Sequence, residues 1–333
     1  MNAPSHISQG ERAQDFVLPV FDGTPTRFYA HAGGAPTVLI FAPNTNEKIH
    51  SFVASLQQQK NPPDIFIVQT TQEVTDTSIT IFTDPEGKVR QAYRIGGSDQ
   101  TIVLLLNPNL RVLSTHTLDD ISTTVEAITQ TLAEQSQASP QELTTHAPVL
   151  LIPHVLTPDI CQALINVWQN QGNEETGVEQ SIHQHRENII DHTNKKRRDH
   201  VVTDEKLMRL ISTTVGRRVM PELKKAFHFE ATRFEGFKIV CYDSEEKGFF
   251  HAHRDNLSPS TAHRRFALTL NLNTGYEGGH LTFPEYGPHL YKPKTGAAIL
   301  FSSSHLHEVT PVTQGKRFTL LSFLFGENDI RTK

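Results

Sequence analysis

The sequence predicts two domains of different class: a small α/β layered domain, then a β-sandwich or barrel covered by helices. Three observations carry this. Short apolar runs in the first half alternate with stretches of helical periodicity. Beyond Glu230 the apolar period shortens to two, in six or more closely spaced segments with Gly/Pro turns between them. Between the halves, residues 135–141 are polar and aperiodic and run into Thr144-Thr145-His146-Ala147-Pro148, which reads as a linker. The 333 residues hold about two domains at the usual ~100–200 residues each. The predicted boundaries are 8–134, a linker over 135–147, and 148–333. Charge and histidine divide at the same place. Residues 1–147 carry 8 Lys/Arg, 15 Asp/Glu and 5 His, and the remainder carry 23, 21 and 13.

In the first half, residues 37–41 (TVLIF) lie between Pro36 and Pro43 as a buried strand would. Ile49, Phe52, Val53 and Leu56 follow the i, i+3, i+4, i+7 spacing of an amphipathic helix. Residues 64–68 and 102–106 are further buried strands. After 102–106 comes the turn Asn107-Pro108-Asn109, from which 111–113 returns as a hairpin partner. The spacing predicts a closing helix over 119–134, with Asp119 and Asp120 in its first turn, where the helix dipole favours them.

The second half opens with Thr157 as N-cap and Pro158 at the first helical position. Ile160, Leu164, Ile165 and Trp168 give that helix an apolar face. Another helix begins near 203–205, with Leu207, Leu210 and Ile211 inward. Phe266, Leu268, Leu270 and Leu272 alternate with Ala267, Thr269 and Asn271, the pattern of a half-buried strand. Other strand segments are 237–242, 249–253, 280–283, 297–302 and 318–325.

Composition excludes several classes. Net charge is −5, too modest for a nucleic-acid binder. No apolar run approaches the ~18 residues of a membrane span, and no secretory signal is visible near the start. Two cysteines, Cys161 and Cys241, cannot form a disulfide framework and fit a reducing cytoplasm. Both read as small core residues.

The chemistry concentrates in His251-Ala252-His253-Arg254-Asp255. Residues two apart on a strand share a face, so His253 and Asp255 can present an imidazole and a carboxylate to one point. A distant histidine, in His305-Leu306-His307, can complete a two-His, one-carboxylate triad, which holds non-haem Fe(II) and leaves coordination positions open. Arg317 lies ten residues beyond His307 and starts a strongly apolar strand. A guanidinium on the inner face there needs an anionic partner, which a dicarboxylate supplies in fork geometry. Thr319 shares that face and can add a hydroxyl.

On these residues, together with Tyr242, the segment Tyr276-Glu277-Gly278-Gly279-His280-Leu281-Thr282-Phe283-Pro284 and the opening 148–153, residues 148–333 resemble the Fe(II)/2-oxoglutarate-dependent dioxygenases of the prolyl 4-hydroxylase-like branch. The resemblance implies a double-stranded β-helix, or jelly roll, with flanking helices. It implies His253, Asp255 and His307 as iron ligands. Arg317 becomes the partner of the distal carboxylate of 2-oxoglutarate, with Tyr242 and Thr319 as hydrogen-bonding helpers. It also implies hydroxylation of an unactivated C–H bond, with ascorbate as an accessory cofactor. The substrate would be a prolyl or other amino-acid residue in a protein or peptide, or a small amino-acid-like metabolite. Halogenating members replace the carboxylate ligand by a small residue, and Asp255 stands here. A homo-oligomer is compatible with this reading.

The first half resembles a thioredoxin-fold peroxiredoxin, through residues 10–19, the strand into Phe41-Ala42-Pro43, and Asp84-Pro85-Glu86-Gly87. Peroxidase chemistry there needs a thiolate at the start of the helix after Pro43. No cysteine occurs before Cys161, so peroxide reduction through cysteine is excluded.

Three further features have a plain reading and a sharper one. His251, His263, His280, His289 and His305 are surface or packing residues, or line the mouth. The basic run Lys195-Lys196-Arg197-Arg198 is a solvated loop, or a substrate lid. Arg264-Arg265 edges a sheet, or holds a substrate anion. The rival for the whole chain is a non-enzymatic binding protein, with a degenerate redoxin and an incidental metal-binding barrel. Arg317 discriminates, because a scaffold has no reason to bury it beside the histidines.

Overall fold

A computed structural model describes residues 6–71, 79–97, 100–135, 142–182 and 185–329. The chain divides into two compact units, Met1–Pro140 and Gln141–Lys333.

The first unit is an α/β layer built on a five-stranded sheet. Its main elements are β1 (Thr37–Ala42), α1 (Glu47–Gln57), β2 (Asp64–Gln69), β3 (Thr80–Thr83), β4 (Ile102–Leu106), β5 (Val112–Thr117) and α2 (Ile121–Glu134). The strand order is β3-β2-β1-β4-β5, with the first three parallel and the last two antiparallel to their neighbours. Every residue of β1 is buried, as its unbroken apolar run requires. The face of α1 packs through Ile49, Phe52, Val53 and Leu56. The closing helix differs from expectation at its start. Asp119 and Asp120 precede the first turn, and the Asp120 carboxylate accepts from the Thr123 amide as the N-cap. An aspartate satisfies the orphan amides better from the cap position than from inside the helix.

The second unit is a double-stranded β-helix. Its elements are β6 (Leu150–Ile152), α3 (Pro158–Asn170), β7 (Glu174–Glu175), β8 (Lys195–Lys196), β9 (Arg198–Val201), α4 (Glu205–Arg218), α5 (Met220–Phe227), β10 (Lys238–Asp243), β11 (Phe249–His253), β12 (Phe266–Asn271), β13 (Leu281–Thr282), β14 (Ala298–Ser302), β15 (His307–Val309) and β16 (Lys316–Phe325). The larger sheet runs β6-β14-β12-β16-β10-β9-β7, and the smaller runs β8-β11-β15-β13, all antiparallel. Strand 280–283 of the expected set shortens to Leu281–Thr282, and α5 and the basic strands β8 and β9 were not anticipated.

The alternation in β12 has a different cause from solvent exposure. Leu268 and Leu270 face a core shared with α3, α4 and α5, whereas Ala267 faces the space between the sheets, where Asn271 is also buried. The strand is buried on both faces, and its small or polar residues turn toward an internal cavity.

Two predictions follow from packing. Gly296 sits at φ +75°, and a Cβ there would lie 2.1 Å from the Leu156 carbonyl oxygen, in the turn that ties Val155 and Leu156 to the sheet. Gly296→Ala should therefore cost at least about 2 kcal/mol, read as a lowered melting temperature. Cys161 and Cys241 are buried, and burial pushes their thiols up to about 11 and about 12. Both stay protonated at neutral pH, so a thiol reagent should label neither in the native protein and both after unfolding.

Candidate active site

A cavity of about 290 Å³ opens between the two sheets of the second unit. The sharp geometry at its centre follows from strand pairing. β11 and β15 are neighbours, and His253 lies directly opposite His307 in their register. Asp255 follows two residues after His253, where the chain leaves the strand and its amide donates to the Ser303 carbonyl.

These three side chains converge. Their ligand atoms all lie within 4.8 Å of one another. Asp255 Oδ1 is 3.5 Å from His253 Nε2, and Oδ2 is 3.4 Å from His307 Nε2. Each imidazole is anchored by its other nitrogen. His253 Nδ1 pairs with the His251 carbonyl at 2.8 Å, and His307 Nδ1 with the His305 carbonyl at 2.9 Å. A carbonyl only accepts, so it fixes the proton on Nδ1 and leaves the Nε2 lone pair pointing inward. Burial pushes His307 down to about 4, which keeps it in the neutral form that a metal requires. For Asp255 burial acts upward while the Arg264 guanidinium acts downward, and the carboxyl lies below its ordinary range. The donor set of two neutral imidazoles and one carboxylate fits a divalent iron with open positions.

Arg317, Tyr242 and Thr319 line the same cavity and are all buried. Tyr242 and Arg317 are opposite one another on β10 and β16, and the guanidinium carbon lies 5.4 Å from the phenol ring centre. A Cβ at Gly279, which has φ +60°, would come within 3.0 Å of the Arg317 side chain, so glycine there leaves room for the arginine. The buried Nε of Arg317 has no hydrogen-bond partner among the described residues. A buried donor without a partner is expensive unless a ligand completes it.

The basic run is not a solvated loop. Lys195, Arg197 and Asp199 are buried, while Lys196, Arg198 and His200 are less so, the period of a strand. Lys195 and Arg197 line the cavity. Arg197 Nη2 donates to Asp199 Oδ2 at 3.0 Å and Nη1 to the Tyr242 hydroxyl at 3.2 Å. Burial alone would lower its affinity for the proton, but Asp199 and Tyr242 raise it well above the ordinary value. Phe250 lies against both cations, with its ring centre 5.6 Å from Arg197 and 5.3 Å from Lys195, and it stacks on His253 at 3.5 Å.

Arg264 lines the cavity, and Arg265 stands at the entry to β12, where its amide donates to the Leu324 carbonyl. Arg264 grips Glu235 with two bonds of 2.8 Å and donates to the Asp255 carbonyl, so it braces the carboxylate-bearing turn. Arg265 pairs with Asp329. His263 is buried 2.6 Å from the same Glu235. None of His251, His263, His280, His289 and His305 lines the cavity.

In the first unit the position after Pro43 is filled by polar contacts. The Thr45 amide and hydroxyl both donate to Gln69 Oε1, and Asn46 caps α1 through the Ile49 amide.

Residues 237–325 match the family model of the 2OG-Fe(II) oxygenase superfamily. The chain is 33% identical over 100 residues to a PKHD-type hydroxylase from Azoarcus sp. (strain BH72), which is 28% of this chain and 43% of that protein. The chain spans less than half the length of the curated relatives it matches first. Among solved structures, a prolyl hydroxylase from Trichoplax adhaerens in complex with a hypoxia inducible factor peptide fragment aligns with 18% identity. That alignment covers 55% of this chain and 85% of the other, with a TM-score of 0.45. A peroxidoxin from Mycobacterium tuberculosis aligns with 17% identity over 39% of this chain and all of its own, with a TM-score of 0.33. The segment that holds His253, Asp255, His307 and Arg317 thus matches the 2OG-Fe(II) oxygenase superfamily model, a family whose members use Fe(II) and 2-oxoglutarate.

Proposed function

We propose that the protein is an Fe(II)- and 2-oxoglutarate-dependent hydroxylase. The observation that carries this is the convergence of two inward-turned imidazole Nε2 atoms and one carboxylate in a cavity that also holds a buried arginine with a free donor. His253, Asp255 and His307 would hold the metal, and Arg317, with Tyr242 and Thr319, would receive the distal carboxylate of 2-oxoglutarate. When bound, Fe(II), 2-oxoglutarate and O₂ together supply the oxidant for a C–H bond, with succinate and CO₂ as coproducts. The chain's own contribution is placement and dryness. Phe250 covers one face of His253, and Phe301 packs 4.7 Å from His307, so both ligands sit against apolar surface. The substrate we infer is a prolyl or other amino-acid residue in a peptide or protein, or a free amino-acid-like molecule. The PKHD-type hydroxylase relatives support hydroxylation.

Anaerobic addition of Fe(II) and then 2-oxoglutarate to the metal-free protein should produce the visible charge-transfer band of the chelate. His307→Ala should lose the band, and His307→Ala and Asp255→Ala should each reduce 2-oxoglutarate turnover at least ~100-fold with the fold intact, since each leaves a metal site short of one ligand. Turnover persisting in either variant would remove the triad assignment. Arg317→Ala should retain metal and lose cosubstrate affinity by roughly 10- to 100-fold, the worth of a charge-assisted bidentate pair. Unchanged affinity would favour a binding protein over an oxygenase.

A further inference from the structure

Arg197 has no part in the triad, yet it is buried at the point where the chain crosses from the smaller sheet into the larger. β8 pairs with β11, which carries His253, and β9 pairs with β10, which carries Tyr242. Its charge is fixed by Asp199, which is itself buried at the 3% level. The informative contact is the one to Tyr242. A guanidinium only donates, so the bond from Arg197 Nη1 occupies a lone pair on the phenol oxygen. The single O–H proton of Tyr242 must therefore point elsewhere. Two cationic groups flank the ring, Arg197 at 6.0 Å and Arg317 at 5.4 Å, so no proton acceptor is offered by either. Tyr242 lines the cavity together with both arginines.

We propose that Arg197, clamped by Asp199, is a positioning residue that holds the Tyr242 hydroxyl as a donor toward an anionic oxygen of 2-oxoglutarate. This rests on the oxygenase reading above and adds a member to the cosubstrate site that the sequence concealed in a basic run. Arg317 then supplies the charge, Tyr242 an oriented neutral donor, and the Arg197–Asp199 pair the orientation. Hydrogen bonds in such a chain depend on one another, so removing Arg197 should matter only while the Tyr242 hydroxyl is present.

The test is a double-mutant cycle read by 2-oxoglutarate affinity, from the chelate band of the anaerobic Fe(II)-loaded protein, with Mn(II) affinity measured in parallel. Arg197→Met and Tyr242→Phe should each weaken 2-oxoglutarate by roughly tenfold, the loss of one oriented donor. The double variant should be no weaker than either alone. Arg197→Lys, which keeps a donor and a charge, should recover part of the affinity, and Mn(II) affinity should stay at the wild-type level throughout. If Arg197→Met does not fold, Asp199→Asn gives the same comparison by loosening the guanidinium while retaining it. Losses that multiply in the double variant would overturn the proposal, as would an Arg197→Met that binds 2-oxoglutarate like wild type. A fall in Mn(II) affinity would also overturn it, since the effect would then be general disturbance of the site. Wild type that takes up Fe(II) yet gives no band would overturn the oxygenase reading itself, and this inference with it.

Discussion

Everything in the second unit depends on one constraint, that the larger sheet has two interiors to satisfy. On one side Leu268, Leu270 and Leu320 meet the helices. On the other, the same strands must line a cavity that holds charge. Period-two alternation makes this achievable, because neighbouring residues take opposite sides. β16 shows the arrangement most fully. Arg317, Thr319, Leu321 and Phe323 line the cavity, while Phe318, Leu320 and Leu324 pack against the helices. A one-residue slip in the register would drive a guanidinium into the helix-packed core and bring leucine to the metal, so the catalytic reading and the folding register are one specification.

Much of the candidate site was legible because its members are rare residue types at informative separations. His253 and Asp255 stand two apart on a strand, and Arg317 begins an apolar strand that would otherwise reject it. The first unit was legible for a similar reason, since buried strands such as β1 and the face of α1 each repeat their own period. Three things were not legible. The period-two burial of Lys195, Arg197 and Asp199 was hidden because alternate positions are charged as well. A hydropathy pattern cannot separate inward charge from outward charge. The polar face of β12 looked solvent-facing because cavity-lining and water-facing residues have the same composition. The Glu235–Arg264 brace spans 29 positions, and no local pattern announces a partner so distant.

The site also shows how polar side chains are made tolerable inside a barrel. His253 and His307 each borrow a backbone carbonyl two residues back, so their orientation comes from local strand geometry. Asp255 is different. Its carboxylate has two imidazoles in front, and its turn is held from behind by Arg264, which in turn lies 3.9 Å over the Phe323 ring. Two of the cavity's arginines are paired, Arg197 with Asp199 and Arg264 with Glu235. Paired charges resist displacement in a cavity whose lining carries several cations.

The missing thiol of the first unit has a consequence for how that unit can work with others. Covalent capture of a partner through a disulfide needs a thiol, and the sulfur–sulfur bond it forms outlasts dilution and yields to reductants. With Thr45 and Asn46 at the head of α1 and both cysteines sealed within the other unit, no such covalent handshake is available. A complex formed through this surface rests on non-covalent contacts, and dithiothreitol should leave it untouched.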